Sequence, residues 1–190
     1  MLLNKLAISR LIVVFGLVLS VAGCAFNQVR EDRYQQAVKL VDEGAKQLRE
    51  GKLTAASNAF SVAAELAPLA AAVDGQGCVA LLQGDFARAE ELFNRAYQMD
   101  SSYDEALGNL ALLMDITGRH EKAKDLYNQA IEKLPEHVGL RNNRAALEYD
   151  RGARKMVVIQ ELEKAALIED SPVIKANLER LKAEDEWSVQ

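Results

Sequence analysis

Three stretches decide the fold: Glu50-Gly51-Lys52-Leu53-Thr54-Ala55-Ala56, Gln83-Gly84-Asp85-Phe86-Ala87-Arg88-Ala89 and Thr117-Gly118-Arg119-His120-Glu121-Lys122-Ala123. Gly84 and Gly118 stand 34 residues apart, Gly152 follows at the same interval, and Gly51 precedes Gly84 by 33. Nine residues after the first three glycines comes an aromatic (Phe60, Phe93, Tyr127), and twelve after comes an alanine (Ala63, Ala96, Ala130). Seven residues before each glycine sits a small side chain: Gly44, Gly77, Ala111 and, for the fourth, Ala145. Self-similarity at a fixed period of this length is the mark of a repeat array, in which each unit buries its apolar face against its neighbours.

The pattern resembles the tetratricopeptide repeat, which implies an all-α solenoid of two antiparallel helices per 34 residues. The spacing has a physical logic. The glycine ends the first helix and lets the chain turn left-handed. The small residues allow the paired helices to approach closely, and the aromatic fills the space between them and the next repeat. Pro68 and Pro135 occupy equivalent positions where a second helix ends, because proline cannot continue it. In this register the repeats span 37–69, 70–103, 104–137 and 138–172. The fourth is degenerate: Gly152 is in place, but Leu162 and Ala165 fit the later positions only after a one-residue insertion. In the remainder, 173–190, Ile174, Leu178 and Leu181 fall on one helical face, as expected of a capping helix that closes a solenoid. Trp187 lies among the last residues, where chains fray, and either packs on that helix or meets a partner.

The chain begins differently. Residues 1–10 carry Lys5 and Arg10 and no acid, and 11–23 carry no charge. As a helix that uncharged run reaches about 20 Å, short of the roughly 30 Å hydrocarbon core. A basic start, a short apolar run and small residues at its end read as a signal peptide over 1–23 rather than a membrane span. Val21-Ala22-Gly23-Cys24 resembles a bacterial lipobox. That resemblance implies a diacylglycerol thioether on Cys24, cleavage before it and acylation of its new amine. Several acyl chains, at about 0.8 kcal/mol per buried CH₂, anchor stably where one would not. Ala25 stands where Asp would signal retention at the inner membrane. By resemblance, the expected address is the outer membrane of a Gram-negative bacterium, on its periplasmic face. Residues 24–36 then form tether and lead-in, and at about 3.5 Å per residue even an extended tether holds the repeats near the membrane.

The 190 residues include 23 Lys+Arg against 28 Asp+Glu, a net charge of -5. Loss of 1–23 removes two bases and no acid, so the mature chain is more acidic still. That balance argues against nucleic-acid binding by phosphate neutralisation. Two cysteines and two histidines exclude a disulfide scaffold and a Cys₄ zinc site. Gly75-Gln76-Gly77 falls inside a helix and cannot cradle phosphate. His120 and His137 fall near turns without partner ligands at metal spacing, and Cys78 reads as a small packing residue. The expectation is no catalytic residue, no metal and no cofactor beyond the lipid on Cys24.

Function is expected in the concave face that the first helices of such repeats line. In this register the lining includes Val41, Asp74, Cys78, Asn109, Leu112, Asn142, Asn143 and Tyr149. Asn109 and Asn143, 34 apart, occupy a position where peptide-binding members of the family hold a ligand's main chain. An amide donates and accepts at once, which suits an extended backbone; the other reading is an asparagine tolerated on an exposed helix. Asp42, Asp74, Glu105 and Asp150 would repel a carboxylate, so the expected ligand is mixed apolar and polar with some positive charge.

Residues 140–152, Leu-Arg-Asn-Asn-Arg-Ala-Ala-Leu-Glu-Tyr-Asp-Arg-Gly, and the later Val173-Ile-Lys-Ala-Asn-Leu178 resemble the lipoprotein of Flp/Tad pilus assembly, with Arg144 where that group has Leu. The pilotin of type IV pili is a second such group. These resemblances imply a non-enzymatic assembly factor whose partner is a secretin or another pilus or secretion component. The alternative is a periplasmic scaffold that recruits cell-wall enzymes.

Overall fold

A computed structural model describes residues 27–183, which form nine helices and no strand. The leader 1–23, Cys24, Ala25 and Trp187 lie outside the described residues. The chain divides into two compact units, one ending at Leu69 and the other beginning at Ala70.

In the first unit, α1 covers residues 27–49 of the described chain and α2 spans Leu53–Leu66. The two pack through Ala37, Ala56, Phe60 and Ala63, all buried. Gly44 is small because Phe60 lies over it: a Cβ there would stand 2.7 Å from Phe60 Cε1. Arg33 Nη2 donates to the Glu65 carbonyl at 3.3 Å, tying the start of α1 to the end of α2.

The second unit comprises α3 (Ala70–Leu82), α4 (Phe86–Met99), α5 (Glu105–Ile116), α6 (His120–Lys133), α7 (Val138–Asp150), α8 (Lys155–Ile168) and α9 (Pro172–Ala183). Each helix packs chiefly on the next in the chain, and the alternate helices α3, α5 and α7 also touch. This is a stack of helical hairpins.

One turn recurs four times. At Gly84 the glycine amide donates to the Leu81 carbonyl at 3.0 Å, and the following amide of Asp85 reaches back to Ala80 at 2.9 Å. Gly51, Gly118 and Gly152 repeat both bonds. The paired bonds satisfy carbonyls that a helix end leaves open, and they require φ > 0 at the glycine. The four glycines have φ of 71°, 79°, 75° and 85° and are the described residues of positive φ.

Two cores follow one another along the second unit. The first joins α3 to α7 around Phe93, Leu113, Met114 and Tyr127. The second joins α7 to α9 around Val158, Ile159, Leu162, Ile174 and Leu181. Leu162 and Ala165 are buried where the earlier repeats carry an aromatic and an alanine. Arg144 bridges helices across this region, with Nη1 on Asn128 Oδ1 at 3.0 Å and Nη2 on Glu161 Oε2 at 3.3 Å. In α9, Ile174 and Leu181 are buried and Leu178 is partly so, giving the last helix one apolar face against the stack.

Candidate functional site

The first helices α3, α5, α7 and α9 carry a lateral ladder of polar side chains. At its first rung Asn109 Nδ2 donates to both oxygens of Asp74, at 2.9 and 3.1 Å, and lies 3.6 Å from Cys78 Sγ. The Tyr103 hydroxyl donates to Asp74 Oδ2 at 3.2 Å. Asp74 is only 5% exposed. Burial pushes its carboxyl up to about 6, against the pull of the Asn109 and Tyr103 donors and with a further push from Glu105. Burial, with the neighbouring Asp74 charge, also lifts the Cys78 thiol to about 12, which keeps it an inert packing group.

The last rung is Asn177 Nδ2 donating to Asn142 Oδ1 at 2.8 Å. Tyr149 and Asn142 close around it, leaving a space of only about 10 Å³.

The middle rung is missing. Its two positions are Gly108 and Asn143. A Cβ on Gly108 would run into the Leu140 side chain, so no side chain reaches across from α5. Asn143 accepts one long contact of 3.4 Å from Asn142 Nδ2. Its other neighbour is the hydroxyl of fully buried Tyr127, which lies near the amide without a hydrogen bond of regular geometry. In place of the rung there is a hollow of about 260 Å³, walled by Asp74, Tyr103, Glu105, Asn109, Leu112, His137, Leu140 and Asn143 among others.

The structure therefore separates residues that the repeat register makes equivalent. Asp74, expected as a lining charge, is buried where α5 packs on α3 and where Asn109 and Tyr103 bond to its carboxylate. The Asn109 donor is committed to Asp74, whereas Asn143 and Leu112 border open space. Asn142 and Tyr149 belong to the closed last rung. Val41 is half-buried on α1, in the first unit. Sequence reasoning missed Tyr103, His137 and Asn177. His137 Nδ1 accepts the Leu140 amide at 3.3 Å, so this histidine is the N-cap of α7 as well as part of the wall. Asn177 had a signal: Asn109, Asn143 and Asn177 follow one another at 34-residue intervals. His120, at the other turn, has Nδ1 3.1 Å from Asp115 Oδ1. Among the described residues no group of three or more His, Cys, Asp or Glu could hold a metal ion.

Two family models, each described as tetratricopeptide repeat, match residues 41–104 and 80–152, together more than half of the chain. The chain belongs to the tetratricopeptide repeat family. No curated protein matches it significantly. Its fold is similar to that of Pseudomonas aeruginosa pilF, with TM-score 0.69 at 18% identity over 83% of this chain and 72% of that one. It is also similar to a tetratricopeptide-repeat protein of Thermus thermophilus, with TM-score 0.68 at 19% identity over 78% and 82% of the two chains. A third likeness is the first repeat domain of Spaghetti (RPAP3) bound to the HSP90 peptide SRMEEVD, with TM-score 0.57 at 21% identity over 63% and 98%. Tetratricopeptide-repeat proteins mediate protein–protein interactions, and their repeat domains are generally non-catalytic.

Proposed function

We propose that this chain is a lipid-anchored adaptor of the Gram-negative outer membrane that helps assemble a pilus or secretion apparatus from the periplasmic side. The observation that carries the reading is the joining of a leader ending in Val21-Ala22-Gly23-Cys24 to a stack of interaction repeats. The lipid supplies the address and the hairpin stack supplies the grip on a partner. No helix among the described residues is long and apolar enough to cross a membrane; in this reading the lipid on Cys24 is the anchor. The likeness in fold to Pseudomonas aeruginosa pilF supports the choice of a pilus-related role, and the 140–152 and 173–178 segments point toward the Tad group. A groove walled by Asp74 and Glu105 differs in charge from one suited to an acidic peptide such as SRMEEVD.

Deleting the gene is expected to abolish secretin multimers at the outer membrane; intact multimers would refute the assembly role. Peptidoglycan hydrolases captured in their place would favour the cell-wall scaffold. Cys24→Ala is expected to abolish lipid labelling and release the protein from membranes, scored by metabolic labelling with a fatty acid and by fractionation.

A further inference from the structure

The ladder has a period, and the period is broken once. Asp74, Gly108 and Asn142 stand at 34-residue intervals on α3, α5 and α7. Each faces the asparagine one repeat further on: Asn109, Asn143 and Asn177. The two outer pairs bond directly. The middle pair does not, because Gly108 offers no side chain and Leu140 fills the place where a Cβ would go. Asn143 is half-buried beside the resulting hollow; it accepts one long contact from Asn142, and its amide lies by the Tyr127 hydroxyl without regular hydrogen-bond geometry.

The walls of that hollow have one sign of charge. Asp74 lies deep and Glu105 lies exposed at the rim, and no lysine or arginine lines the space. Among the described residues neither carboxylate forms an ion pair. His137 is the one basic side chain present, and its Nδ1 accepts a backbone amide, a role that the protonated form of that nitrogen cannot play. A carboxylate held in low dielectric by neutral donors alone is costly, and a docked cation offsets that cost through charge-assisted hydrogen bonds. Burial, with a smaller push from Glu105, raises the Asp74 carboxyl although two neutral donors hold it.

We infer that the broken rung is a receptor for a lysine or arginine side chain on an extended segment of the partner. The cation enters the hollow toward Asp74 and Glu105, and Asn143 holds the adjoining main chain through its amide. This rests on the reading of the chain as a partner-binding adaptor and adds which chemistry the partner must present and where it docks.

The test uses the full-length chain in detergent and five pools of nine-residue peptides. Each pool is randomised except for a fixed central Lys, Arg, Gln, Leu or Glu, and binding is followed by fluorescence anisotropy. The Lys or Arg pool is expected to bind about tenfold more tightly than the Gln pool, the size of one charge-assisted hydrogen bond, with the Glu pool weakest. Glu105→Lys, at an exposed position and with its helix content checked by circular dichroism, is expected to remove that preference, and Asp74→Asn to reduce it. Equal binding of the Lys, Arg and Gln pools, or a preference that survives Glu105→Lys, overturns the inference, as does binding of no pool at all. Secretin multimers are scored separately, so a failed pocket and a failed adaptor role are distinguishable. Equal binding of all pools that is lost in Asn143→Ala overturns the cation pocket while leaving a peptide groove in place.

Discussion

The stretch from α3 to α6 and the stretch from α7 to α9 follow one plan with different fillers. In the first, Phe93 lies against Gly77 so closely that a Cβ there would come 2.6 Å from the ring. In the second, Leu162 stands in for the aromatic, Val158 and Ile159 widen the apolar layer, and Arg144 spans from Asn128 to Glu161. The turn is the same in both: Gly152 closes its helix with the same pair of bonds as Gly84. The difference shows that the turn sets the hairpin's direction, while the filler sets how tightly its helices mesh.

The largest effects should come from the fillers. Phe93→Ala is expected to cost about 3–5 kcal/mol and Leu162→Ala about 2–4, because the buried aromatic leaves the larger cavity. Chemical denaturation of both variants checks the order, and an equal or greater cost at Leu162 would break the comparison.

Asp74 comes next. Its carboxyl is raised to about 6 from 3.8, so the folded chain holds this proton more tightly than the unfolded chain. The added stability is present below about pH 4 and is lost as pH climbs through about 6, a step of about 3 kcal/mol for a shift of this size. Asp74→Asn should flatten that step, with any gain at pH 7 reduced because one amide oxygen replaces two acceptors for Asn109 and Tyr103. A stability curve against pH that keeps its step in the variant would assign it to another group.

The turns should respond alike. Gly84→Ala and Gly152→Ala are each expected to cost about 1 kcal/mol, since alanine must adopt the left-handed region while nothing lies within 4 Å of its new Cβ. Thermal melts that separate the two variants widely would show that the shared turn does different work in the two regions. The smallest effect is expected at Arg144→Leu, within about 1 kcal/mol, because leucine gives up two polar bridges and also removes a partly buried charge. A loss of several kcal/mol would show that the bridges hold the second core together.

The fold was legible because its determinants are local and recur. A glycine needing φ > 0, a small residue seven places earlier and an aromatic nine places later each state one geometric requirement, and three copies state it without ambiguity. The candidate site was less legible. Asn109 and Asn143 are identical by register, yet their surroundings depend on the residue one repeat away, Asp74 in one case and Gly108 in the other. Asp74 reads as an exposed acid on any helical wheel, and only the packing of α5 with Tyr103 buries it. The meaning of an absent side chain at Gly108 appears only once Leu140 is seen to occupy its place.

Helices that pack chiefly on their immediate successors also shape how the second unit forms and comes apart. Contacts close in sequence need little loop closure, so adjoining hairpins can order quickly and in any sequence. Unravelling should then start where a helix makes the least contact with its described neighbours. Amide hydrogens of α9 will therefore exchange earlier than those of α5 and α6, leaving the broken rung in the part of the stack that opens last.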